Sequence, residues 1–422
     1  MKTLVKYEFL KILRKKSTLI AMAVSLIITA IFFVLPITRF QIYNQDGVLR
    51  GLEGIAYEKG QYADVSVPLT NEYVAETIRE VQALFENPDN IGYDGNEQFL
   101  IDGAYWNGIA PRENLLGLIA RNYAAPNVSV GYNALTNLDV SDSTNFYQAR
   151  QDKIETILNT LQKGKIETIL SDPSNGLSEA EKDYWRNMNN DVKEPFQYGY
   201  FGGWEIIISS FELLMFDILA ICIVIAPVFA GEYQAGTDAV ILSGKYGKTK
   251  LTTAKIFAAL IFGVLAFTIH VLVAFGVPLM AFGMDGWNLP LQINGTTVPY
   301  PLTFMEGTLI NLGVIYLVLI AMIGLALFLS ARMKSPYFVL IVVVPVLFIP
   351  MFLSPNGTTG IYNLFVLLTP YQSLVPRFNS YLSYQLGPVI LDAFAMRGLV
   401  YVILTLILLP LARIGFKKHQ VA

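Results

Sequence analysis

The sequence is poor in the residues that carry most protein chemistry, with one cysteine, Cys222, and two histidines, His270 and His419, among 422 residues. One cysteine excludes an intrachain disulfide. Two histidines leave little material for a metal site or for histidine-dependent catalysis. We therefore expect no metal ligands, no catalytic residues and no cofactor bound by this chain, and a membrane enzyme is the least favoured functional class.

Charge is scarce as well, because charged residues make up 15% of the chain, against about 25% in soluble domains. Hydrophobic residues reach 54%, and the mean hydropathy is +0.47. Six apolar runs approach the roughly 20 residues that a helix needs to cross a hydrocarbon core. They cover residues 17–38, 206–229, 256–282, 307–331, 338–353 and 395–414. The sequence thus predicts an all-α polytopic membrane protein with six transmembrane helices.

Residues 1–16 combine apolar side chains at helical spacing, among them Val5, Phe9 and Ile12, with six basic residues. This pattern predicts an interfacial amphipathic helix on the cytoplasmic leaflet. The apolar run that follows is too long for a signal peptide and lacks a small-residue cleavage site. We expect it to remain as the first transmembrane helix.

Basic residues are divided unequally between the short segments that flank the apolar runs. Segments on one side hold 15 lysines and arginines, whereas the short loops on the other side hold only Arg377 and Arg397. Cytoplasmic loops carry the excess of positive charge in membrane proteins. Both termini are therefore predicted to be cytoplasmic.

Residues 39–204 have the composition of a soluble domain, with 24 acidic and 13 basic residues. The orientation predicts that they form an α-rich extracellular domain between helices 1 and 2. Ser178 and Glu181 have the spacing of a capping box at a helix start. Asn71 is expected to cap another helix that ends before Pro88.

Residues 354–394 are more apolar than a solvated loop, but their longest apolar run, residues 361–368, is too short to span a membrane. Pro370, Pro376 and Pro388 interrupt the segment. Irregular backbone at membrane depth needs shielding by protein. We predict a pair of re-entrant or interfacial helices on the outer face, within the membrane part at residues 205–422.

Three ionisable residues fall inside apolar runs: Glu212, Asp217 and His270. Charges at membrane depth are costly, so such residues face a cavity or a partner. Glu212 and Asp217 are candidates for a translocation path, with an interhelical hydrogen bond as the alternative and interfacial solvation as a further one for Glu212. For His270 a structural role is favoured.

Residues 230–255 form a polar, lysine-containing loop between the second and third runs. The pattern FAGE-x-x-x-GT at residues 229–237, followed by Leu242 and Lys255 in a six-run chain with an amphipathic start, resembles the ABC-2 type transporter permeases. The resemblance implies a short coupling helix that docks in a groove of a cytosolic ABC ATPase. The coupling residues would be Glu232, Gly236, Thr237, Ala239, Val240 and Leu242.

The resemblance also implies the partners of the chain. ATP would be hydrolysed by the separate ATPase subunit, and a second permease copy, identical or related, would complete the translocation path in the lipid bilayer. We expect a multi-pass protein of the bacterial plasma membrane that binds no nucleic acid. The long segment between the first two spans fits only family members with a large insert there.

Two functions remain on these grounds. The chain is the permease of an ATP-driven exporter, or it is a membrane-anchored receptor or sensor with an extracellular ligand-binding domain and no transport activity.

Gly247-Lys248-Thr249 resembles the end of a phosphate-binding loop, but Leu242 stands where the first glycine should be, which argues against nucleotide binding. The acidic outer domain leans toward cationic or amphipathic cargo such as a peptide, while a lipid, a sodium ion or a drug stays open as an alternative.

Overall fold

Five helices in the described part of the chain are long and apolar enough to cross a membrane. The computed structural model describes residues 1–63, 65–94, 97–123, 163–244, 246–295, 297–355 and 357–418. The five helices lie at Lys16–Arg39, Phe211–Gln234, Gly247–Phe282, Phe304–Ser330 and Ala393–Lys417. They confirm the predicted class, an all-α polytopic membrane protein.

The predicted span at residues 338–353, the fifth in chain order, is shorter than the other five. Helix α15, Pro336–Phe348, has 13 residues and continues into the 3₁₀ turn Ile349–Phe352. Ser335 caps its first turn and Pro336 occupies the first helical position, where a missing N–H costs nothing. The count of six transmembrane helices therefore stays a prediction.

The N-terminal part consists of α1, Lys2–Leu13, and α2, Lys16–Arg39. Helix α1 packs along the third long helix, α13, Thr252–Phe282. Ile12 is the buried residue of α1, whereas its basic side chains lie on the outside. The apolar side of α1 thus packs against the protein, and its interfacial position on the cytoplasmic leaflet stays a prediction.

Between the first two spans, the described residues form short helices and two antiparallel hairpins. In chain order the elements are β1 Gln41–Asn44, β2 Gly47–Arg50, α3 Gly51–Gln61, α4 Asn71–Glu86, β3 Ile91–Asp94, β4 Glu97–Leu100, α5 Asp102–Gly108, α6 Glu113–Tyr123, α7 Lys163–Ser171 and α8 Glu179–Asn190. The capping box of Ser178 and Glu181 is present as predicted. Thr70, rather than Asn71, caps α4, because its side chain accepts from the Tyr73 amide.

The second span is interrupted where a continuous helix was expected. It comprises α9 Gly202–Ser209, a 3₁₀ turn Phe211–Leu214, α10 Met215–Ile225 and α11 Pro227–Gln234. Ser210 leaves the helical region, and the neighbouring Ser209 hydroxyl donates to the Ile206 carbonyl. Serine side chains compete with the backbone for hydrogen bonds and weaken a helix interior.

The remaining elements complete the bundle. They are α12 Asp238–Ser243, a π-helical turn Gly247–Leu251, α13, α14 Phe304–Ser330, α15, α16 Ile361–Val366, α17 Pro370–Leu374, β5 Ser383–Leu386, β6 Val389–Asp392 and α18 Ala393–Lys417. Helices α14 and α18 pack along each other, and α14 begins with a capping box of Thr303 and Glu306. Residues 354–394 contain two short helices, α16 and α17, and a hairpin, β5–β6, that the sequence analysis missed.

Candidate functional site at the central turn

The residues predicted to couple the chain to an ATPase lie at the end of α11 and in the turn that follows, residues 235–251, which we call the central turn. Pro227 breaks the second span because it has no N–H to continue the helix. The Ser330 hydroxyl of α14 repairs the break: it donates to the Ala226 carbonyl at 2.6 Å and accepts from the amides of Phe229 at 3.0 Å and Ala230 at 2.9 Å. Helix α11 is thereby fixed to α14.

Gly236 ends α11 and turns the chain toward α12. Its φ is +66°, in the left-handed region that glycine adopts most easily. The Thr237 amide donates back to the Glu232 carbonyl at 3.0 Å, and the Gly236 amide to the Tyr233 carbonyl at 3.1 Å. These bonds satisfy carbonyls that the helix end would leave free.

Glu232 is the centre of a cluster of charged side chains. Its Oε1 accepts from the ammonium groups of Lys11 at 2.6 Å and Lys255 at 2.7 Å, and its Oε2 accepts from the Thr237 hydroxyl at 2.5 Å. Lys255 also donates to Glu8 at 3.0 Å. We call these five residues the Glu232 cluster. It joins α1, α11, the central turn and α13 in one network.

The charges of the Glu232 cluster balance, because two carboxylates face two ammonium groups. Lys255 is only 2% exposed, so its charge needs those partners. Burial disfavours the charge of Lys11, but the hydrogen bond and negative charge of Glu232 outweigh burial and raise the pKa of the Lys11 ammonium. The ion pairs and hydrogen bonds of this cluster therefore stabilise the packing of α1 against the end of α11 and the start of α13.

Helix α12 presents an apolar side chain outside the long helices. Val240 is 75% exposed, whereas Leu242 is 6% exposed and packs inside the chain. Asp238 is buried and Ala239 half-buried. Three of the six predicted coupling residues, Ala239, Val240 and Leu242, lie on α12. Leu242 is not available for docking in this conformation, which leaves Val240 with Ala239 at its side.

The central turn is closed by a tight backbone approach at Gly247. A Cβ atom at this position would lie 1.7 Å from the Ile241 carbonyl oxygen, so only glycine fits. Gly247 starts the π-helical turn, and the Thr252 hydroxyl donates to its carbonyl at 2.8 Å. Gly247 is the glycine of the Gly247-Lys248-Thr249 sequence that resembles the end of a phosphate-binding loop. Its role here is to let α12 pack against the start of α13.

Of the three ionisable residues of the apolar runs, Asp217 and His270 are neighbours, whereas Glu212 lies on a different element from Asp217. Glu212 lies in the 3₁₀ turn Phe211–Leu214, and Asp217 lies on α10, 1% exposed. Asp217 accepts from the hydroxyls of Ser25 at 3.1 Å and Thr29 at 2.6 Å, and its carboxylate lies 3.7 Å from His270 Nε2. Asp217 thus takes part in interhelical hydrogen bonds between α2 and α10. The translocation-path role of Glu212 and Asp217 stays a prediction.

Sequence reasoning missed three residues of this architecture. Glu8 is the only acidic residue among the first 16. A single carboxylate in a basic segment could have been predicted to pair with a buried basic residue. Lys11 was counted only as one of the basic residues of α1. Arg397 was assigned to an outer loop, but it lies in α18, fully buried, and donates to the carbonyls of Leu367, Gln372 and Val375 at 2.8–3.3 Å. Arg397 therefore holds α16 and α17 against α18.

Comparison with known proteins identifies the family of the chain. The family model described as ABC-2 family transporter protein matches residues 2–421. No curated protein and no solved structure matches the chain. The match extends over nearly the whole chain, including the segment between the first two spans. The chain therefore belongs to the ABC-2 transporter family and is a membrane permease of an ABC transporter.

Proposed function

We propose that this permease is the membrane subunit of an ATP-driven exporter and that α12 is the helix through which a separate cytosolic ATPase drives it. The observation that carries the proposal is the exposure of Val240, at 75%, on a short helix that the Glu232 cluster ties to the bundle. Val240 and the half-buried Ala239 together offer a small apolar surface on α12 for a groove in the ATPase to cover. The expected arrangement has two permease copies above two ATPase subunits.

The Glu232 cluster supplies a route for the motion. A displacement of α12 reaches Glu232 through the Thr237 hydroxyl, 2.5 Å away. A displacement of Glu232 then moves Lys255 at the start of α13 and Lys11 on α1, because both ammonium groups bond its carboxylate. Because Lys11 on α1 and Lys255 on α13 bond the same Glu232 oxygen, we assign α1 the role of moving together with the start of α13.

The test of this function is copurification of the chain with its ATPase after coexpression. We expect a stable complex in detergent and in lipid nanodiscs, with an ATP turnover that differs from that of the isolated ATPase. Candidate cargoes are then screened for stimulation of turnover. A chain that purifies alone and leaves ATP turnover unchanged would favour a receptor or sensor role.

The proposed orientation places both termini and the central turn in the cytoplasm, and residues 39–204 outside. Ser243 and Asn107 are both exposed, and the native Cys222 is buried, so single added cysteines report cleanly. We expect Asn107→Cys to react with an impermeant maleimide in intact cells and Ser243→Cys to react only after permeabilisation. Labelling of position 243 from outside would contradict the orientation.

A further inference from the structure

A cleft of about 610 Å³ lies between the outer end of α2, α3, α5 and α6. Aromatic rings form much of its wall. The accessible rings are Tyr43, 64% exposed, and the half-buried Tyr105 and Trp106, which meet at 69° with centroids 5.1 Å apart. Tyr62 and Tyr198 are buried behind them and stack on each other with centroids 5.6 Å apart. A site of this volume suits a small molecule, and the faces of aromatic rings attract cations.

The charged side chains of the cleft are mainly acidic. Glu58 and Glu113 line it, and the Tyr105 hydroxyl donates to Glu113 at 3.2 Å. Arg112 also lines it, but its guanidinium is occupied by Glu80 and by the Gly108 carbonyl. Lys59, next to Glu58, directs its ammonium to Asp285 at 2.5 Å. Among the described residues, the cleft therefore has two carboxylates without a matching cation.

We propose that this cleft binds an organic cation, namely an ammonium group carried on a small apolar body. The rings would surround the apolar groups next to the charge, and Glu58 and Glu113 would neutralise it. The cation is a soluble amine or the ammonium headgroup of a lipid, since Phe40, which follows the end of α2, and Ile42 on β1 also line the cleft. The proposal concerns binding alone, so its failure would leave the ATPase coupling untouched.

The half-buried position of Glu58 gives the binding a pH dependence. Burial, aided by the negative charge of Glu205, raises the pKa of Glu58 to about 7. The titratable and charged groups around it are Glu205, Tyr62, Tyr200, Arg112 and Glu113. Glu58 is neutral below its pKa and carries the attracting charge above it. Affinity for a cation should therefore rise as the pH increases from about 6 to about 8.

The test uses choline and its neutral isostere 3,3-dimethylbutan-1-ol, with the full chain in phosphatidylglycerol nanodiscs and binding followed by saturation-transfer NMR. We expect choline to bind about tenfold more tightly than the isostere, because only choline carries the charge. Glu58→Gln should weaken choline binding about tenfold at pH 8 and remove its pH dependence. Glu53→Gln, exposed on the same helix, is the matched control and should bind as the wild type does.

Glu113→Gln provides a second variant in case Glu58→Gln alters the fold, because Glu113 is exposed. Exchange of the disc lipid for phosphatidylcholine separates the two sources. If the choline signal is lost in phosphatidylcholine discs, the headgroup of the lipid competes for the cleft and is the natural ligand. If the signal is retained, the ligand is a soluble amine. Either result supports the proposal. Equal binding of the isostere, or wild-type choline affinity in both glutamine variants, would overturn it.

Discussion

Replacing Glu8 and Glu232 together by glutamine should lower the free energy of unfolding of the permease by about 3–5 kcal/mol, because it leaves the buried Lys255 ammonium without a carboxylate. Lys255 is 2% exposed, and the carboxylates of Glu8 and Glu232 are its two ion-pair partners in the described cluster. Either single replacement should cost less, since one carboxylate remains. The loss in the double variant should therefore exceed the sum of the single losses.

The measurement is thermal or denaturant unfolding of the purified permease in nanodiscs. Lys255→Met in the double-variant background should recover most of the stability, because it removes the unpaired charge. Lys11→Met serves as a control, since its side chain is 50% exposed and can be solvated. Additive losses without recovery by Lys255→Met would show that the cluster does not act as a unit.

Glu232→Ala should also lower transport while some ATPase association remains, because the Thr237 hydroxyl loses its carboxylate partner.

Val240→Asp should abolish ATPase binding, or uncouple ATP turnover from transport, in a permease that still inserts and folds. Val240 is 75% exposed, so the free permease tolerates an aspartate there. In the complex the carboxylate would lose its water inside an apolar groove without a partner, a cost of several kcal/mol. Pull-down of the ATPase and ATP turnover in reconstituted membranes measure the effect.

Tyr93→Asp is the matched control for Val240→Asp. Tyr93 is an apolar side chain of similar exposure, 67%, but it lies on β3 in the segment between the first two spans. We expect that variant to bind the ATPase as the wild type does. Wild-type binding and turnover in an inserted Val240→Asp variant would show that α12 is not the coupling helix, and the sensor function would then gain support.

Local patterns in the sequence predicted local structure well. Long apolar runs gave the spans because hydrophobic length is a property of the segment alone, and Ser178 with Glu181 gave a helix start because a capping box needs only four residues. The hairpins were missed because their strands have four residues each. The Asp46-Gly47 pair, a hairpin signal, was nevertheless there to be used.

Long-range contacts could not be predicted in the same way. Lys11 and Glu232 are separated by 221 positions, and no spacing rule joins them. The burial of Leu242 and the role of Arg397 likewise depend on how distant helices pack. Glu212 and Asp217 were both candidates for a translocation path in sequence, but the change from the 3₁₀ turn to α10 after Leu214 separates their surroundings, with Glu212 on the turn and Asp217 inside the helix.

Photo-crosslinking from position 240 tests the central claim most directly. A photoreactive phenylalanine analogue replaces Val240 in the coexpressed complex, and the same analogue at Leu309, exposed on α14 within a span, serves as the comparison. We expect a crosslink to the ATPase from position 240 and none from position 309. A complex that assembles without any crosslink from position 240 would contradict the docking of α12 in the ATPase.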